Sequence, residues 1–357
     1  MMRNATNPSL WTVVRTVSRS TLTALALLAV TACVPSSAGT ESSIQEGALE
    51  GSDAAIVSSD FLPAQSGWSL VWSDEFNGED LDPSKWAPEV SCWGGGNEER
   101  QCYTARNANI QVADGVLRIV ARPERWTGPN LPQERRRADD GVRTQPYTSG
   151  KIRTRDLAAW RYGRFAARMR LPSGQGTWPA FWMMPSEDHY GTWPLSGEID
   201  IMEAVNLRVG CDECGSEGVE NRIQGALHFG FPWPDNTFLV QRSTLPALAG
   251  PDEGFHVYAV EWGEGRIDWY VDGQRYFSLA ESDWHTGSPR AAGNPLAPFD
   301  RPFYLILNLA VGGRLPEQHN ETGVDPRAFP AELLVDWVRV YECPSDPEEG
   351  LACMSAE

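Results

Sequence analysis

Three carboxylates fall within one short run, GEIDIME, in which Glu198, Asp200 and Glu203 alternate with apolar residues. This alternation predicts a β-strand, on which Glu198 and Asp200 share a face. Glu203 returns to that face only if a β-bulge adds one residue between the acids. The span then equals about four regular residues, roughly 13 Å. Leaning side chains could bring the two glutamate carboxyls to about 5 Å, which suits a nucleophile and an acid/base at a glycosidic bond.

The alternative for this run is an acidic strand that faces solvent. A single glutamate would be interpreted in that way. Three acids on one face repel each other, so a purely structural strand has little reason to collect them. Two carboxyls a few ångströms apart do not both ionise easily, so one pKa rises and that group can donate a proton near neutral pH.

Short strand patterns separated by Gly and Pro turns surround the acidic run. Strands are predicted at 116–121, 164–170, 303–311 and 334–341, and Asp272-Gly273 predicts a hairpin that follows 266–271. Long helical periodicity is absent from the sequence. The pattern predicts an all-β, two-sheet antiparallel sandwich. The polar stretch 124–143 is predicted to be a solvated loop, with an arginine binding cluster as the alternative.

The N-terminal region predicts export. Basic residues precede an apolar stretch at 22–30, which is shorter than the about 20 residues that span a bilayer. The ending Val30-Thr31-Ala32-Cys33 resembles a bacterial lipoprotein signal, which implies lipidation at Cys33; the alternative is an ordinary signal and a secreted product. We predict a signal segment at 1–33, a flexible linker at 34–65, a catalytic domain at 66–345 and a C-terminal tail at 346–357.

The cysteine count agrees with an exported protein. Six of the seven cysteines remain once Cys33 is set aside, and an even number suggests disulfides. Local pairing is plausible, although other connectivities stay open and the CxxC run could instead be a redox or half-zinc motif. The local pairs are Cys92–Cys102, Cys211–Cys214 and Cys343–Cys353.

The charge balance limits the partners. A formal net charge of −18 argues against nucleic acid and against a sulfated polyanion, and it is compatible with a neutral substrate. The fifteen tryptophans fit stacking on sugars as well as an ordinary core. We expect a monomer that contacts a membrane only through its lipid anchor.

The run GEIDIME resembles the catalytic signature of glycoside hydrolase family 16, and its surroundings resemble the bacterial laminarinase (endo-1,3-β-glucanase) branch. The resemblance implies a β-jelly-roll with a concave open cleft, and a retaining endo-glycosidase that hydrolyses internal β-1,3 linkages of glucans such as laminarin. It implies that Glu198 is the nucleophile, that Glu203 is the acid/base and that Asp200 hydrogen-bonds to the nucleophile. The supporting runs, in order, are GGGNEE at 94–99, TWPAFWM at 177–183, WP at 193–194, HFG at 228–230 and NLAVGG at 308–313.

The same resemblance supplies candidates for binding the β-glucan. Trp193 looks like a stacking floor beside the nucleophile, and Asn97 resembles a residue that grips a sugar hydroxyl. Trp178 and Trp182 share a strand face, so both rings could enter the cleft, although either could belong to the core. The remaining substrate-binding candidates are Trp233, His228, Arg153 and Asn308; a structural role is the alternative for His228.

No cofactor is expected to be required for the reaction, but members of the family often carry a structural calcium ion. The positions that match such a site are Glu75, Gly115 and Asp336, and the alternative is that Asp336 is a plain surface acid. Three other functions stay open: an agarase-like β-galactanase, a transglycosylase, or a non-catalytic β-glucan-binding protein. In binding relatives the catalytic glutamates are replaced, whereas Glu198 and Glu203 are both present here.

Overall fold

The structure is a computed structural model that describes residues 67–214, 218–244 and 254–354. The predicted signal segment with Cys33 and the linker at 34–65 lie outside the described residues. Within the described ranges, no helix is long and apolar enough to cross a membrane.

Strands form nearly all of the regular structure, as the sequence predicts. The helical elements are short: the helix α1 (Arg314–Glu317) and the 3-10 turns Gln133–Arg135, Glu281–Asp283, Pro289–Ala291, Pro326–Ala328 and Leu351–Cys353. The strands are β1 (Ser69–Asp74), β2 (Ala87–Pro88), β3 (Gln101–Tyr103), β4 (Ile110–Ala113), β5 (Val116–Pro129), β6 (Val142–Ser149), β7 (Lys151–Arg153), β8 (Gly163–Arg170), β9 (Thr177–Pro185), β10 (Glu198–Glu203), β11 (Arg222–Gly230), β12 (Asn236–Thr244), β13 (His256–Gly263), β14 (Arg266–Val271), β15 (Gln274–Ala280), β16 (Phe303–Val311) and β17 (Ala331–Glu342).

These strands form two sheets that pack face to face. The larger sheet has the order β15-β14-β13-β8-β17-β5-β6-β3, with β1 beside β17 and β4 beside β5. The smaller sheet has the order β12-β11-β10-β9-β16-β7-β2 and pairs antiparallel throughout. The predicted all-β, two-sheet sandwich is confirmed, and it is a jelly roll.

The hydrophobic core fills the space between the two sheets. On β16, Leu305, Leu307 and Leu309 point into it, whereas Asn308 faces the other way. Each such fully buried leucine contributes roughly 1.5–3 kcal/mol. The outward side of the smaller sheet, which we call the site face, carries polar and aromatic side chains instead.

The interpretation of 124–143 as a solvated loop is wrong in part. Strand β5 continues to Pro129 and β6 begins at Val142, so the two form a projecting ribbon. The ribbon carries few apolar residues because much of its surface is exposed, and the sequence therefore shows no strand signal. Two of the three clustered arginines are already engaged, since Arg135 stacks 4.6 Å over Trp93 and Arg136 donates to the Val90 carbonyl.

The three predicted disulfides, Cys92–Cys102, Cys211–Cys214 and Cys343–Cys353, are confirmed. The last of them holds part of the predicted tail against the sandwich. There the Glu264 amide donates to the Glu349 carbonyl at 2.7 Å, and Met354 is buried. The packed part of the chain therefore continues past residue 345 to Met354.

Candidate active site

The bulge that the acidic run requires is present in β10. The register with both neighbouring strands shifts after Asp200, so three steps on β10 oppose two steps on β11. Ile201 and Met202, although consecutive, both enter the core. As a result Glu203 returns to the site face beside Glu198 and Asp200. The pairs across β10 and β11 are Glu198 with His228, Asp200 with Ala226, and Glu203 with Gln224.

The larger sheet braces this bulge from beneath. The indole N–H of Trp269, a fully buried residue of β14, donates to the backbone carbonyl of Asp200 at 2.8 Å. A Cβ at Gly225 on β11 would lie 2.4 Å from Trp269 Cδ1, so only glycine leaves room for the indole. No local sequence pattern predicts this contact, because it joins residues far apart in the chain.

Indole N–H groups hold both glutamates. Trp193 Nε1 donates to Glu198 Oε2 at 2.6 Å, and Trp178 Nε1 donates to Glu203 Oε1 at 2.9 Å. Trp193 is 38% exposed, so its ring remains available to a ligand while its nitrogen orients the carboxylate. Both tryptophans lie on the site face, where the sequence predicted them.

Glu203 receives a second hydrogen bond, from Gln224 Nε2 to Oε2 at 3.1 Å. Burial raises the pKa of Glu203, while Gln224, His228 and Trp178 act in the opposite direction by favouring the ionised form. A carboxyl with a raised pKa retains a proton to higher pH, as a general acid must.

Asp200 lies between the two glutamates and is buried. Burial first, and then the charges of Glu198 and Glu203, raise the pKa of Asp200 well above its usual range. Its Oδ2 lies 3.3 Å from Nε2 of His228, and one oxygen each of Glu198 and Asp200 lie within 4.8 Å of a ring nitrogen of His228. Burial opposes protonation of His228, but Asp200 and both glutamates outweigh it and raise the pKa to about 10. Asp200, Glu203 and His228 therefore each hold a proton to higher pH than the isolated groups would.

Trp182 and Asn308 extend the site face away from the acids. Trp182 Nε1 donates to Asn308 Oδ1 at 2.6 Å, and Asn308 Nδ2 donates to the Tyr103 hydroxyl at 3.2 Å. Lys151 Nζ lies 4.9 Å from the centre of the Trp182 ring. The structure thus brings both predicted residues together and adds Tyr103 and Lys151, which the sequence analysis missed.

The other predicted binding residues differ in their surroundings. Asn97 donates weakly to Glu99 at 3.4 Å, and Trp233 is 68% exposed on the loop after β11. Arg153 does not point freely into the site, because it is 5% exposed and lies between Glu89 and Glu134. A substrate contact by the Arg153 side chain therefore has no support in this geometry.

Two further residues of the site face escaped the sequence analysis. Gln224 lies four residues before His228 on β11, so strand alternation places both on one face and could have identified Gln224. Phe238, on the edge strand β12, is 54% exposed and stacks on His228 with 5.6 Å between ring centroids. Its exposure is what the sequence alone could not show.

The calcium site does not fit the charges around its predicted residues. Glu75 forms two 2.9 Å hydrogen bonds with Arg339, and Asp336 pairs with Arg168. A divalent cation there would compete with two guanidinium groups for oxygen ligands. Gly115 lies in the turn between β4 and β5 and offers a backbone carbonyl only.

Comparison with known proteins agrees with this geometry. Residues 68–343 match the family model described as beta-porphyranase A–D, GH16 domain. The chain is 41% identical over 288 residues to glucan endo-1,3-beta-glucosidase A1 of Niallia circulans, covering 78% of this chain and 39% of that protein. It therefore spans well under half of that relative.

Solved structures show the same fold. The laminarinase from Rhodothermus marinus has 40% identity and a TM-score of 0.59, covering 77% of this chain and 97% of that one. A mutant of a non-specific endo-beta-1,3(4)-glucanase, solved with an oligosaccharide at its active site, has 36% identity and a TM-score of 0.60, covering 78% and 96%. On the strength of the family match and these identities, the chain belongs to glycoside hydrolase family 16.

Proposed function

We propose that this protein is a retaining endo-β-1,3-glucanase. The observation that carries the proposal is the bulged strand β10, which sets two hydrogen-bonded glutamates on one open face with Asp200 between them. The proposed activity on glucan also rests on relatives named as glucanases and laminarinases.

In the proposed first step, Glu198 attacks the anomeric carbon while Glu203 donates its proton to the departing glycosidic oxygen. Trp193 keeps the attacking carboxylate in one orientation. The C–O bond to the leaving sugar breaks and a bond from Glu198 to the anomeric carbon forms. In the second step Glu203 takes a proton from water, whose oxygen displaces Glu198, and the configuration is retained.

Asp200 has a supporting role in this scheme. It lies close to the nucleophile in a buried position, and its raised pKa means that it can carry a proton beside Glu198. A proton on Asp200 reduces the repulsion among three acids, and Asp200 can keep that proton while it donates a hydrogen bond to Glu198 as the nucleophile regains its charge. All steps use side chains of the chain itself, so the scheme requires no cofactor.

A second candidate substrate is a β-galactan, because the matching family model is described as a porphyranase domain. The charge of −18 argues against a densely sulfated polymer, which favours the neutral glucan. Trp193, Trp178 and Trp182 offer rings that suit the apolar faces of glucose units.

The test is reducing-end release from laminarin, curdlan, lichenan, agarose and porphyran, with NMR of the first-formed anomer. We expect rapid internal cleavage of laminarin with a β-anomeric product. Cleavage of agarose or porphyran alone would establish the galactanase alternative. Longer oligosaccharides instead of new reducing ends would indicate a transglycosylase, and laminarin binding without any turnover would indicate a non-catalytic binding protein.

We also propose that the protein is exported as a monomer and anchored through a lipid on Cys33. The support is the signal-like sequence at 1–33 together with three disulfides in the described part of the chain. The substitution Cys33→Ser should move the protein from the membrane fraction to the soluble exported fraction, which cell fractionation measures. Membrane association of that variant equal to the parent would contradict the anchor, and light scattering of the soluble form tests the monomer.

A further inference from the structure

Glu203 is the first member of a row that crosses three strands. Glu203 on β10 pairs directly with Gln224 on β11, and Gln224 pairs directly with Arg242 on β12. Directly paired residues of adjacent strands project to the same side of a sheet, about 5 Å apart. The three side chains therefore stand in line on the site face.

The direction of the hydrogen bonds along this row is fixed by chemistry. Arg242 Nε donates to Gln224 Oε1 at 3.3 Å, and an arginine can only donate. The amide oxygen of Gln224 must therefore face Arg242, which leaves the amide nitrogen to donate to Glu203 Oε2 at 3.1 Å. Without Arg242, the amide could turn and present its oxygen to Glu203.

At the far end of the row, the hydrogen bonds of His319 also have a fixed direction. His319 Nδ1 lies 2.8 Å from the Leu315 carbonyl, which only accepts, so Nδ1 carries the proton. In the neutral ring, Nε2 then has a lone pair and accepts from Arg242 Nη2 at 3.3 Å. Each group from His319 to Glu203 thus has one possible role in the chain of hydrogen bonds.

We propose that Gln224 and Arg242 are positioning residues that hold the Glu203 carboxyl in its working orientation and favour its ionised form. The catalytic consequence rests on the proposed function. Burial pushes Glu203 towards the protonated form, and Gln224 opposes it, so the row sets how readily the acid/base returns to its charged state between steps. Arg242 acts through Gln224 and touches neither sugar nor Glu203 in this scheme.

Other charged or titratable groups also face Glu203. Glu198, Asp200 and His228 lie on the site face, and the Tyr276 hydroxyl approaches from β15 beneath β11. Arg222 lies beside Arg242 on the outer strands. The substitutions below leave all of these groups in place. A change in the titration of Glu203 therefore measures the effect of Gln224 and Arg242.

The test compares Gln224→Met, Arg242→Met and Arg242→Lys with the control Gln241→Met. Gln241 is next to Arg242 on β12 but points to the other side of the strand, and its Nε2 donates to the Arg242 carbonyl at 3.0 Å. On the cleaved glucan, Gln224→Met should move the alkaline limb of the kcat/KM profile upward by about one pH unit. Arg242→Met should move the alkaline limb less, and Arg242→Lys should lie closer to the wild type than Arg242→Met does. In these variants kcat should fall by more than KM changes.

A second readout does not depend on activity. Titration of the Glu203 carboxyl by ¹³C NMR, assigned with Glu203→Gln, should show the same upward shifts. Unchanged titration midpoints in both Met variants, or an equal shift in Gln241→Met, would overturn the proposal. If the wild type cleaves no polysaccharide, the proposed function fails. The NMR titration still tests whether Gln224 and Arg242 position the Glu203 carboxyl. Arg242 is exposed on an edge strand, so its variants keep the test available if Gln224→Met does not fold.

Discussion

Both sheets of the sandwich bury carboxylates, but they surround them in opposite ways. On the outer side of the larger sheet, Asp268 is fully buried and contacts Arg266 at 2.7 Å and Arg275 at 3.3 Å. On the site face, Asp200 is almost as buried, yet its neighbours are two further acids and one histidine.

The difference separates a structural acid from a reactive one. A buried carboxylate whose charge is compensated by arginines is costly to separate from them but chemically inert. Glu261 is a second example, since it accepts from Arg164 at 2.6 Å and from the Tyr270 hydroxyl at 2.9 Å. A buried acid without a compensating arginine holds its proton to higher pH, and such groups are typical of active sites. Burial alone therefore does not identify the site; the charges of the neighbours do.

The largest expected effect is on the site face. Glu198→Gln should reduce glucan hydrolysis on the order of 10⁴-fold or more, because the amide cannot form the glycosyl intermediate. The fold should remain, which circular dichroism checks. Activity within tenfold of the wild type would remove Glu198 from the proposed mechanism.

Glu203→Ala should show a loss that depends on the leaving group. Hydrolysis of the polysaccharide should fall by roughly 10²–10⁴-fold, since the departing sugar oxygen needs a proton. An aryl glycoside whose phenol leaves easily should lose far less. Kinetics on both substrates test this, and equal losses would count against Glu203 as the acid.

On the larger sheet, the same chemical change should affect stability instead. Glu261→Gln leaves the buried Arg164 without its counter-charge and should cost about 3–5 kcal/mol of unfolding free energy. Activity per folded molecule should be retained. The control is Glu332→Gln, whose exposed pair with Arg118 should contribute about 1 kcal/mol or less. Denaturant unfolding of both variants gives the comparison, and equal costs would contradict it.

His228 should give the site face a pH dependence. Its pKa rises from 6.5 to about 10 on folding, so its charge stabilises the fold fully below pH 6.5 and this contribution is lost as pH rises through about 10. The unfolding free energy of the wild type relative to His228→Gln should therefore decrease on the order of 3 kcal/mol between pH 7 and pH 10. Urea titrations across this range measure it, and a constant difference would mean that His228 is not charged in the fold.

The smallest expected effect concerns calcium. Because arginines already hold Glu75 and Asp336, the melting temperature should change by about 1 °C or less between chelator and millimolar calcium. Differential scanning calorimetry tests this. If calcium raises the melting temperature by several degrees, the ion displaces these arginines. The carboxylates Glu75 and Asp336 would then not be held firmly by their arginine partners.

The sequence predicted the elements that have local signals. The hairpin at Asp272-Gly273, the apolar strand at 303–311 and the bulge in the acidic run all follow from residue type and spacing, and the structure shows them. The site face was predicted where alternation or the family resemblance marks it, as at Trp178 and Trp193. The assignment of catalytic roles to these residues stays a prediction.

The rest depends on contacts between distant parts of the chain. The ribbon of β5 and β6 has no apolar signal because it projects into solvent. The family resemblance made Arg153 a candidate for binding the substrate, but only the fold brings Glu89 and Glu134 against it. The hydrogen bond from Gln224 to Glu203 depends on the pairing register between β10 and β11. The bulge shifts that register by one residue, and no local pattern specifies which residues of the two strands pair.

The indole of Trp269 links the chemistry to the integrity of the whole sandwich. Its hydrogen bond reaches the Asp200 carbonyl from the opposite sheet, through the gap that Gly225 leaves open. Straightening of the strand that carries the acids would therefore break this hydrogen bond between the two sheets. Heating should accordingly abolish turnover and tertiary structure in a single step, without an intermediate that is folded but inactive.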